Sequence, residues 1–138
     1  MVTPRTALGF DYGAIRIGVA VGQELTGSAR PLIALPRRDR PPDWQAIARL
    51  IDEWRPNVLV VGVPRHADGT DSKVTGPALA FARELETRFQ LPVATVDERL
   101  SSREAGERLT GASRRRKQNT PLDPMAAAVI LESWFQQQ

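Results

Sequence analysis

Six successive apolar residues, Val58-Leu59-Val60-Val61-Gly62-Val63, constrain the fold of this chain more than any other feature. A strand that is apolar at every position must be buried on both faces, which is typical of a parallel strand inside a sheet. Parallel neighbours are joined by long crossover connections, usually helices. The run therefore predicts an α/β domain in which helices pack on a sheet.

The residues before this run predict an antiparallel beginning to the sheet. Strands are predicted over 6–12 and 15–21, with a turn at 13–16 between them, and a third strand is predicted over 29–35. Pro31 favours the edge of the sheet for the third strand, because proline cannot donate a backbone hydrogen bond to a neighbour. Together with the parallel strand, these elements predict a mixed sheet.

Helices alternate with strands in the rest of the chain. A loop at 36–42 leads to a helix that Asp43 caps and Pro56 ends, and its apolar face consists of Trp44, Ile47, Ala48, Ile51 and Trp54. The later elements are a helix from Asp71 or Ser72, a strand over 92–96, a short helix from residue 101 or 102 to 109, and a last helix from Thr120-Pro121 to about residue 135. No internal repeat is visible, and the 138 residues predict one domain.

Three carboxylate positions lie at the ends of these elements. Asp11 ends the first strand, Asp97-Glu98 follows the strand over 92–96, and Asp123 lies in the first turn of the last helix. Sites in open α/β sheets form outside the carboxyl ends of strands, where the three acids could converge. Converging carboxylates repel unless a cation lies between them, and Mg²⁺ prefers oxygen ligands. The pattern predicts a divalent metal site able to activate water in phosphodiester cleavage.

Each acid also has a structural alternative. Asp123 can simply favour the dipole of its helix, although it shares the apolar face with Ala126, Ala127, Ile130 and Trp134. Glu98 can be an exposed charge at a strand end, and spacing alone does not choose between Asp97 and Glu98. Asp11 has little structural purpose at the end of an apolar strand beside glycine, so it is the strongest candidate of the three.

Basic residues are concentrated in one stretch. Residues 99–117 carry a net charge of +5, and the rest of the chain carries −2. Residues 110–119 have no apolar period, so they are interpreted as a mobile basic loop. This distribution favours an anionic polymer as partner, and a solvated loop is the alternative. The candidate substrate-binding residues are Arg16, Arg99, Arg114, Arg115, Arg116 and Lys117.

Composition excludes several other chemistries. The chain has no cysteine and one histidine, which excludes a disulfide scaffold, a cysteine-ligated zinc site and a thiol nucleophile, and disfavours a histidine relay. No apolar run is long enough to cross a membrane, and no signal peptide is recognisable, so a cytoplasmic protein is expected. His66 follows Gly62-Val63-Pro64 in a loop that could offer backbone amides to a phosphate, or could be plain polar surface.

Several stretches, in this order, resemble the YqgF family. They are Gly9-Phe10-Asp11-Tyr12-Gly13, Ile17-Gly18-Val19-Ala20-Val21-Gly22, Thr26-Gly27-Ser28-Ala29-Arg30-Pro31-Leu32, Val61-Gly62-Val63-Pro64 with Asp68-Gly69-Thr70, Asp97-Glu98-Arg99-Leu100-Ser101-Ser102, and Asp123 with Ala126-Ala127-Ala128-Val129-Ile130-Leu131-Glu132-Ser133. The similarity spans nearly the whole chain. It implies a ribonuclease H-like fold related to the RuvC resolvases.

The resemblance also implies a function and a set of ligands. It makes Asp11, Glu98 and Asp123 the acids that bind Mg²⁺ or Mn²⁺, and it favours Glu98 over Asp97. It implies a metal-dependent endonuclease that takes part in maturing the 5′ end of 16S rRNA. The chain departs from the family in carrying Arg65-His66-Ala67 where relatives commonly have a Leu-Asn-Met-like stretch, and Ala126 stands where RuvC-like resolvases have a second acid.

Two other functions remain open at this point. A Holliday junction resolvase of the RuvC type would perform the same chemistry on branched DNA and would favour a symmetric dimer, because two strands must be cut. A non-catalytic RNA-binding factor of ribosome assembly would bind without turnover. The expected partners are therefore precursor rRNA or branched DNA, with ribosomal particles as a further candidate. The protein is expected to be a monomer or a homodimer. An ATPase of the actin-like kind is disfavoured because it needs two such lobes.

Overall fold

Five strands form a mixed sheet at the centre of this computed structural model, which describes residues 4–98 and 122–138. The strands are β1 (Thr6–Tyr12), β2 (Arg16–Gln23), β3 (Ser28–Pro36), β4 (Val58–Val63) and β5 (Val93–Asp97). Their order across the sheet is β3-β2-β1-β4-β5. β1 to β3 are antiparallel neighbours, whereas β4 is parallel to both β1 and β5. The predicted mixed sheet and the inner position of the apolar run are confirmed.

β3 is an edge strand, as Pro31 predicted. Val19 of β2 pairs with Ile33, but the next residue, Ala20, pairs with Pro31, so Leu32 is the extra residue of a bulge. A bulge at an edge interrupts the ladder where proline has no hydrogen to donate. The register of β3 against β2 therefore shifts by one residue at the bulge, and the pairing continues on both sides of it.

Three helices are described: α1 (Trp44–Trp54), α2 (Thr75–Phe89) and α3 (Leu122–Gln136). Asp43 caps α1 as predicted, with its Oδ1 accepting a hydrogen bond from the backbone N–H of Ala46 at 3.0 Å. The predicted short helix at 101–109, the basic loop at 110–119 and the predicted helix start at Thr120-Pro121 lie outside the described residues. None of the described helices is long and apolar enough to cross a membrane.

The prediction that Asp71 or Ser72 caps α2 is wrong, since the helix begins at Thr75. The backbone N–H of Ser72 donates to the hydroxyl of Thr75 at 2.8 Å. That hydroxyl in turn donates to the carbonyl of Pro64, at the end of β4. These bonds hold the residues before Thr75 as a turn against the sheet, so the helix starts one turn later.

The sheet carries a separate core on each face, because side chains alternate along a strand. Leu8 and Phe10 of β1 pack with the helices α1 and α2, whereas Ala7 packs with α3. Trp44 and Trp54 are partly buried against the first core, as predicted. Ala48 is exposed, contrary to the predicted face of α1, because that helix buries only Ile47 completely.

The face under α3 is lined by small residues, which lets the helix lie close to the sheet. These are Ala7, Gly9, Gly18, Ala20, Gly22 and Gly62. A Cβ placed on Gly9 would lie 2.5 Å from Cγ of Leu131, and one on Gly22 would lie 2.7 Å from the ring of Phe135. Both distances are shorter than van der Waals contact, so the helix occupies the volume that larger side chains would take. This close approach fixes where the first turn of α3 lies.

Candidate active site

Asp11 lies near the carboxyl end of β1, on the face of the sheet that α3 covers. It is half-buried and pairs with Gly18 of β2. On the other side, Phe10 pairs with Val61, which places Gly62 of β4 beside Asp11. Both flanking residues lack a side chain. The space on either side of the Asp11 carboxylate is therefore open to groups from other elements.

Glu98 occupies the space above Gly62. It directly follows β5, which pairs with β4 up to Val63 and Asp97. A Cβ on Gly62 would lie 2.6 Å from Oε1 of Glu98 and 2.8 Å from its Cγ. The carboxyl groups of Glu98 and Asp11 share a hydrogen bond. The parallel pairing of β1, β4 and β5 thus brings together two of the predicted site residues.

Burial and mutual repulsion strongly perturb this carboxyl pair. Burial raises the pKa of Glu98 to about 9, and its hydrogen bond to Asp11 and the charges of Asp11 and Asp97 act in the same direction. Burial also raises the pKa of Asp11, the hydrogen bond from Glu98 opposes that rise, and the charge of Asp123 adds to it. The shared hydrogen bond acts to raise the pKa of Glu98 and to lower that of Asp11, so Glu98 is the donor of the pair.

Asp123 approaches from the opposite side, above Gly18. A Cβ on Gly18 would overlap the carbonyl of Asp123 and lie 2.8 Å from its Cβ. The Oδ2 of Asp123 lies 3.6 Å from Nε of Arg16, and the two side chains are 33% and 48% exposed, respectively. An ion pair this exposed contributes about 0.2–1 kcal/mol at most. Its effect is to orient the Asp123 carboxylate rather than to hold α3 on the sheet.

The donor set suits a hard divalent cation. Within residues 4–98 and 122–138, no group of three histidine, aspartate or glutamate side chains lies close enough together to hold an ion. Asp11 and Glu98 are nevertheless in contact, and Asp123 is near enough for its charge to act on Asp11. Mg²⁺ uses only one or two carboxylates together with water and substrate phosphate. A cation that replaced the shared proton would remove the repulsion between the two carboxylates.

The predicted substrate-binding residues are only partly visible. Arg16 lies beside Asp123, where it could reach a phosphate as well as the carboxylate. Arg99, Arg114, Arg115, Arg116 and Lys117 lie outside the described residues.

His66 belongs to a closed loop after β4. Its backbone N–H donates to the carbonyl of Thr70 at 2.9 Å, and its carbonyl accepts from the N–H of Gly69 at 2.9 Å. The residue is exposed and its loop begins at the carboxyl end of β4, on the same edge of the sheet as Asp11. That this loop offers backbone amides to a phosphate, the alternative to plain polar surface, stays a prediction.

Sequence analysis missed a residue that positions the hairpin carrying Asp11. Arg37 lies over the ring of Tyr12, 4.6 Å from its centre. Its Nη1 donates to the carbonyls of Gly13 and Ala14, both at 3.2 Å. Arg37 therefore stabilises the turn that follows Asp11. The only sequence signal was the arginine-rich composition of residues 37–40, which predicted a loop.

Three similar bacterial proteins carry one name. The chain is 49% identical over 136 residues to a protein of Azotobacter vinelandii, covering 98% of this chain and 96% of that one. It is 48% identical to a protein of Pseudomonas putida, covering 99% and 98%, and 46% identical to one of Edwardsiella ictaluri, covering 99% of each. All three are named "Putative pre-16S rRNA nuclease". These names agree with the prediction of a nuclease and favour neither alternative over it.

Solved structures with the same fold are resolvases. The Thermus thermophilus RuvC in complex with a Holliday junction substrate superposes with a TM-score of 0.57 at 16% identity, covering 96% of this chain and 94% of that one. The fowlpox virus Holliday junction resolvase gives a TM-score of 0.58 at 13% identity, covering 96% and 99%. At these identities the likeness shows the fold, which confirms the predicted ribonuclease H-like domain. The resemblance to the YqgF family is confirmed as well: residues 5–137 match the family described as RuvX, Holliday junction resolvase, and the chain belongs to it.

Proposed function

We propose that this protein is a divalent-metal-dependent endonuclease that hydrolyses phosphodiester bonds during 5′-end maturation of precursor 16S rRNA. The observation that carries the proposal is the carboxyl pair of Asp11 and Glu98, held in contact at the carboxyl edge of the sheet with Asp123 nearby. Two acids held so close that one stays protonated near neutral pH destabilise the fold. A fold retains such a pair where it serves a cation or a reaction.

Asp11, Glu98 and Asp123 would hold Mg²⁺ or Mn²⁺. The ion, when bound, supplies a Lewis acid that activates water and stabilises the leaving 3′ oxygen. Asp11 presents its carboxylate from a rigid strand, and Glu98 gives up its proton to become a second anionic ligand. Arg16 orients Asp123 through the 3.6 Å ion pair and offers a positive charge to the substrate phosphate.

The substrate is proposed from the relatives' name and from the charge of the chain. The phosphate backbone would be contacted by Arg99, Arg114, Arg115, Arg116 and Lys117, which lie outside the described residues. Residues 1–138 would form a single nuclease domain. The protein would act in the cytoplasm, as a monomer or a homodimer, on precursor 16S rRNA that is either free or part of assembling ribosomal particles.

A cleavage assay with matched variants tests the proposal. The wild-type protein is incubated with Mg²⁺ or Mn²⁺ and either a 5′-extended 16S rRNA fragment or a four-way DNA junction. We expect metal-dependent cutting of the RNA that D11N abolishes while its circular dichroism stays native. D52N makes the same chemical change at an exposed position of α1 and should cut at the wild-type rate.

The outcomes separate the candidate functions. RNA cutting by D11N at the wild-type rate would overturn the assignment of Asp11. Cutting of the junction alone would replace the rRNA nuclease by a resolvase. The wild-type protein could instead bind RNA but cut neither substrate, even when precursor-containing ribosomal particles are supplied. This result would replace the nuclease and the resolvase by a non-catalytic binding factor.

A further inference from the structure

The turn at residues 37–40 is a basic segment fastened to the hairpin that carries Asp11. The backbone N–H groups of Arg37 and Arg38 donate to the carbonyl of Ile15 at 2.8 and 2.9 Å, and that of Asp39 donates to the carbonyl of Ala14 at 2.8 Å. Ala14 and Ile15 belong to the connection between β1 and β2, directly after the strand end at which Asp11 lies. The turn at residues 37–40 is therefore held in a fixed position relative to Asp11.

The backbone of this turn is strained at an arginine. Arg38 and Asp39 both have left-handed conformations, with φ of 48° and 61°, and Arg40 N–H donates to the carbonyl of Arg37 at 3.0 Å. This is the pattern of a type I′ turn, for which asparagine and glycine are preferred. A left-handed conformation costs about 1–2 kcal/mol for a residue with an ordinary side chain. The hydrogen bonds of the turn hold Arg38 in this conformation.

The turn at residues 37–40 contains three arginines and one acid, Asp39, and so carries a net charge of +2. Arg38 and Arg40 are exposed, and neither forms an ion pair with any residue in the described part of the chain. Arg16 continues the same strip, since it pairs across β2 and β3 with Pro36 and its side chain reaches Asp123. Arg16, which is paired with Asp123, thus lies between the exposed arginines of the turn and the candidate active site.

We propose that the turn at residues 37–40 is a phosphate-binding element of the substrate path, in which Arg38 and Arg40 contact the backbone of the nucleic acid beside the acid-bearing hairpin. The partner class rests on the proposed function, because it is the polymer that the carboxylate site would cut. Arginine suits this task, since its guanidinium keeps its charge and pairs with phosphate oxygens in a fork. The contacts are to phosphate, so they carry no base specificity.

The pair R38G and R55G tests the proposal. Arg55 is also exposed and left-handed, with φ of 47°, and no described residue forms an ion pair with it. It lies before β4, at the opposite end of the sheet from Asp11. Both changes remove one positive charge and put glycine where it is favoured, so neither should lower stability.

Binding is measured by fluorescence anisotropy with a labelled 5′-extended 16S rRNA fragment, in EDTA so that cleavage does not interfere. We expect R38G to bind about five- to eightfold more weakly at 0.1 M salt and to reduce the slope of log K against log salt by about 0.7–0.9. R55G should stay within twofold of the wild-type protein.

Equal weakening by both variants, no weakening by R38G, or no RNA binding by the wild-type protein would overturn this proposal. The result is independent of the cleavage assay, because a protein whose carboxylates do no chemistry can still bind through this turn. Conversely, loss of cutting in D11N with unchanged binding in R38G would keep the nuclease and discard this surface.

Discussion

Replacing Gly18 by alanine tests whether the candidate site depends on how closely α3 approaches the sheet. The added Cβ would overlap the carbonyl carbon and oxygen of Asp123, which are backbone atoms. The helix also packs closely further along, since Leu131 occupies the space in which a Cβ of Gly9 would lie. The first turn of α3 must therefore shift outward and carry the Asp123 carboxylate with it.

The cost follows from this geometry. Forcing one extra methyl group into a packed interior costs about 1–3 kcal/mol, and backbone neighbours put G18A in the upper part of that range. For a domain of this length, a loss of about 2–3 kcal/mol lowers the melting temperature by roughly 6–12 °C. RNA cleavage below the melting temperature should fall more than tenfold, since a displacement of about 1 Å in an active site can cost a hundredfold in rate.

Thermal unfolding followed by circular dichroism measures the stability, with G76A as the control. A Cβ on Gly76 would meet no atom within 4 Å. The higher helix propensity of alanine is offset there, because a residue before proline is disfavoured in the helical conformation and residue 76 precedes Pro77. We therefore expect the free energy of unfolding of G76A to lie within about 0.5 kcal/mol of the wild-type value. A G18A protein that melts within 2 °C of the wild type and cuts RNA at the same rate would refute this reasoning about the helix and the site.

Two further predictions concern Glu98. In G62A the new Cβ meets the side chains of Glu98 and Ile130, which can rotate away. We therefore expect a smaller fall in melting temperature than in G18A but a comparable loss of RNA cleavage. A fully active G62A would contradict the placement of Glu98. In EDTA, the melting temperature should fall as the pH rises from about 5 to 9, because the pKa of Glu98 is raised to about 9 in the folded protein and the unfolded chain releases that proton at lower pH. E98Q keeps a donor to Asp11 but cannot titrate, so it should lose most of this slope, and an unchanged slope in E98Q would assign it to another group.

The sequence correctly predicted features that depend on residues close together along the chain. The apolar run at 58–63, the Asp43 cap and the edge position implied by Pro31 all follow from local patterns, and the structure confirms them. The start of α2 was predicted wrongly, because the hydroxyl of Thr75 bonds to Pro64, eleven residues earlier. No local pattern reports a bond across that distance.

The arrangement of the site could not be predicted from single elements, because it depends on residues of other strands. The sequence singled out Asp11 and Asp123 by their positions in single elements, but their approach depends on Gly18, which belongs to a different strand. The choice of Glu98 over Asp97 came from a family resemblance, whereas the structure gives its physical basis: the side chain of Glu98 lies over Gly62 on the same face as Asp11. Strand register decides such contacts, and register is a property of pairs of strands.

The hairpin that carries Asp11 is held from both faces of the sheet. On one face Arg37 clamps the turn through the carbonyls of Gly13 and Ala14, and on the other the start of α3 rests on Gly18. A carboxylate fixed in this way needs no backbone rearrangement to receive a cation, and such preorganisation is where much of an enzyme's rate advantage lies. What must leave is the proton on Glu98. If the carboxylates bind Mg²⁺ as proposed, binding is coupled to proton release, and the affinity of the site for Mg²⁺ should rise with pH until that proton is gone.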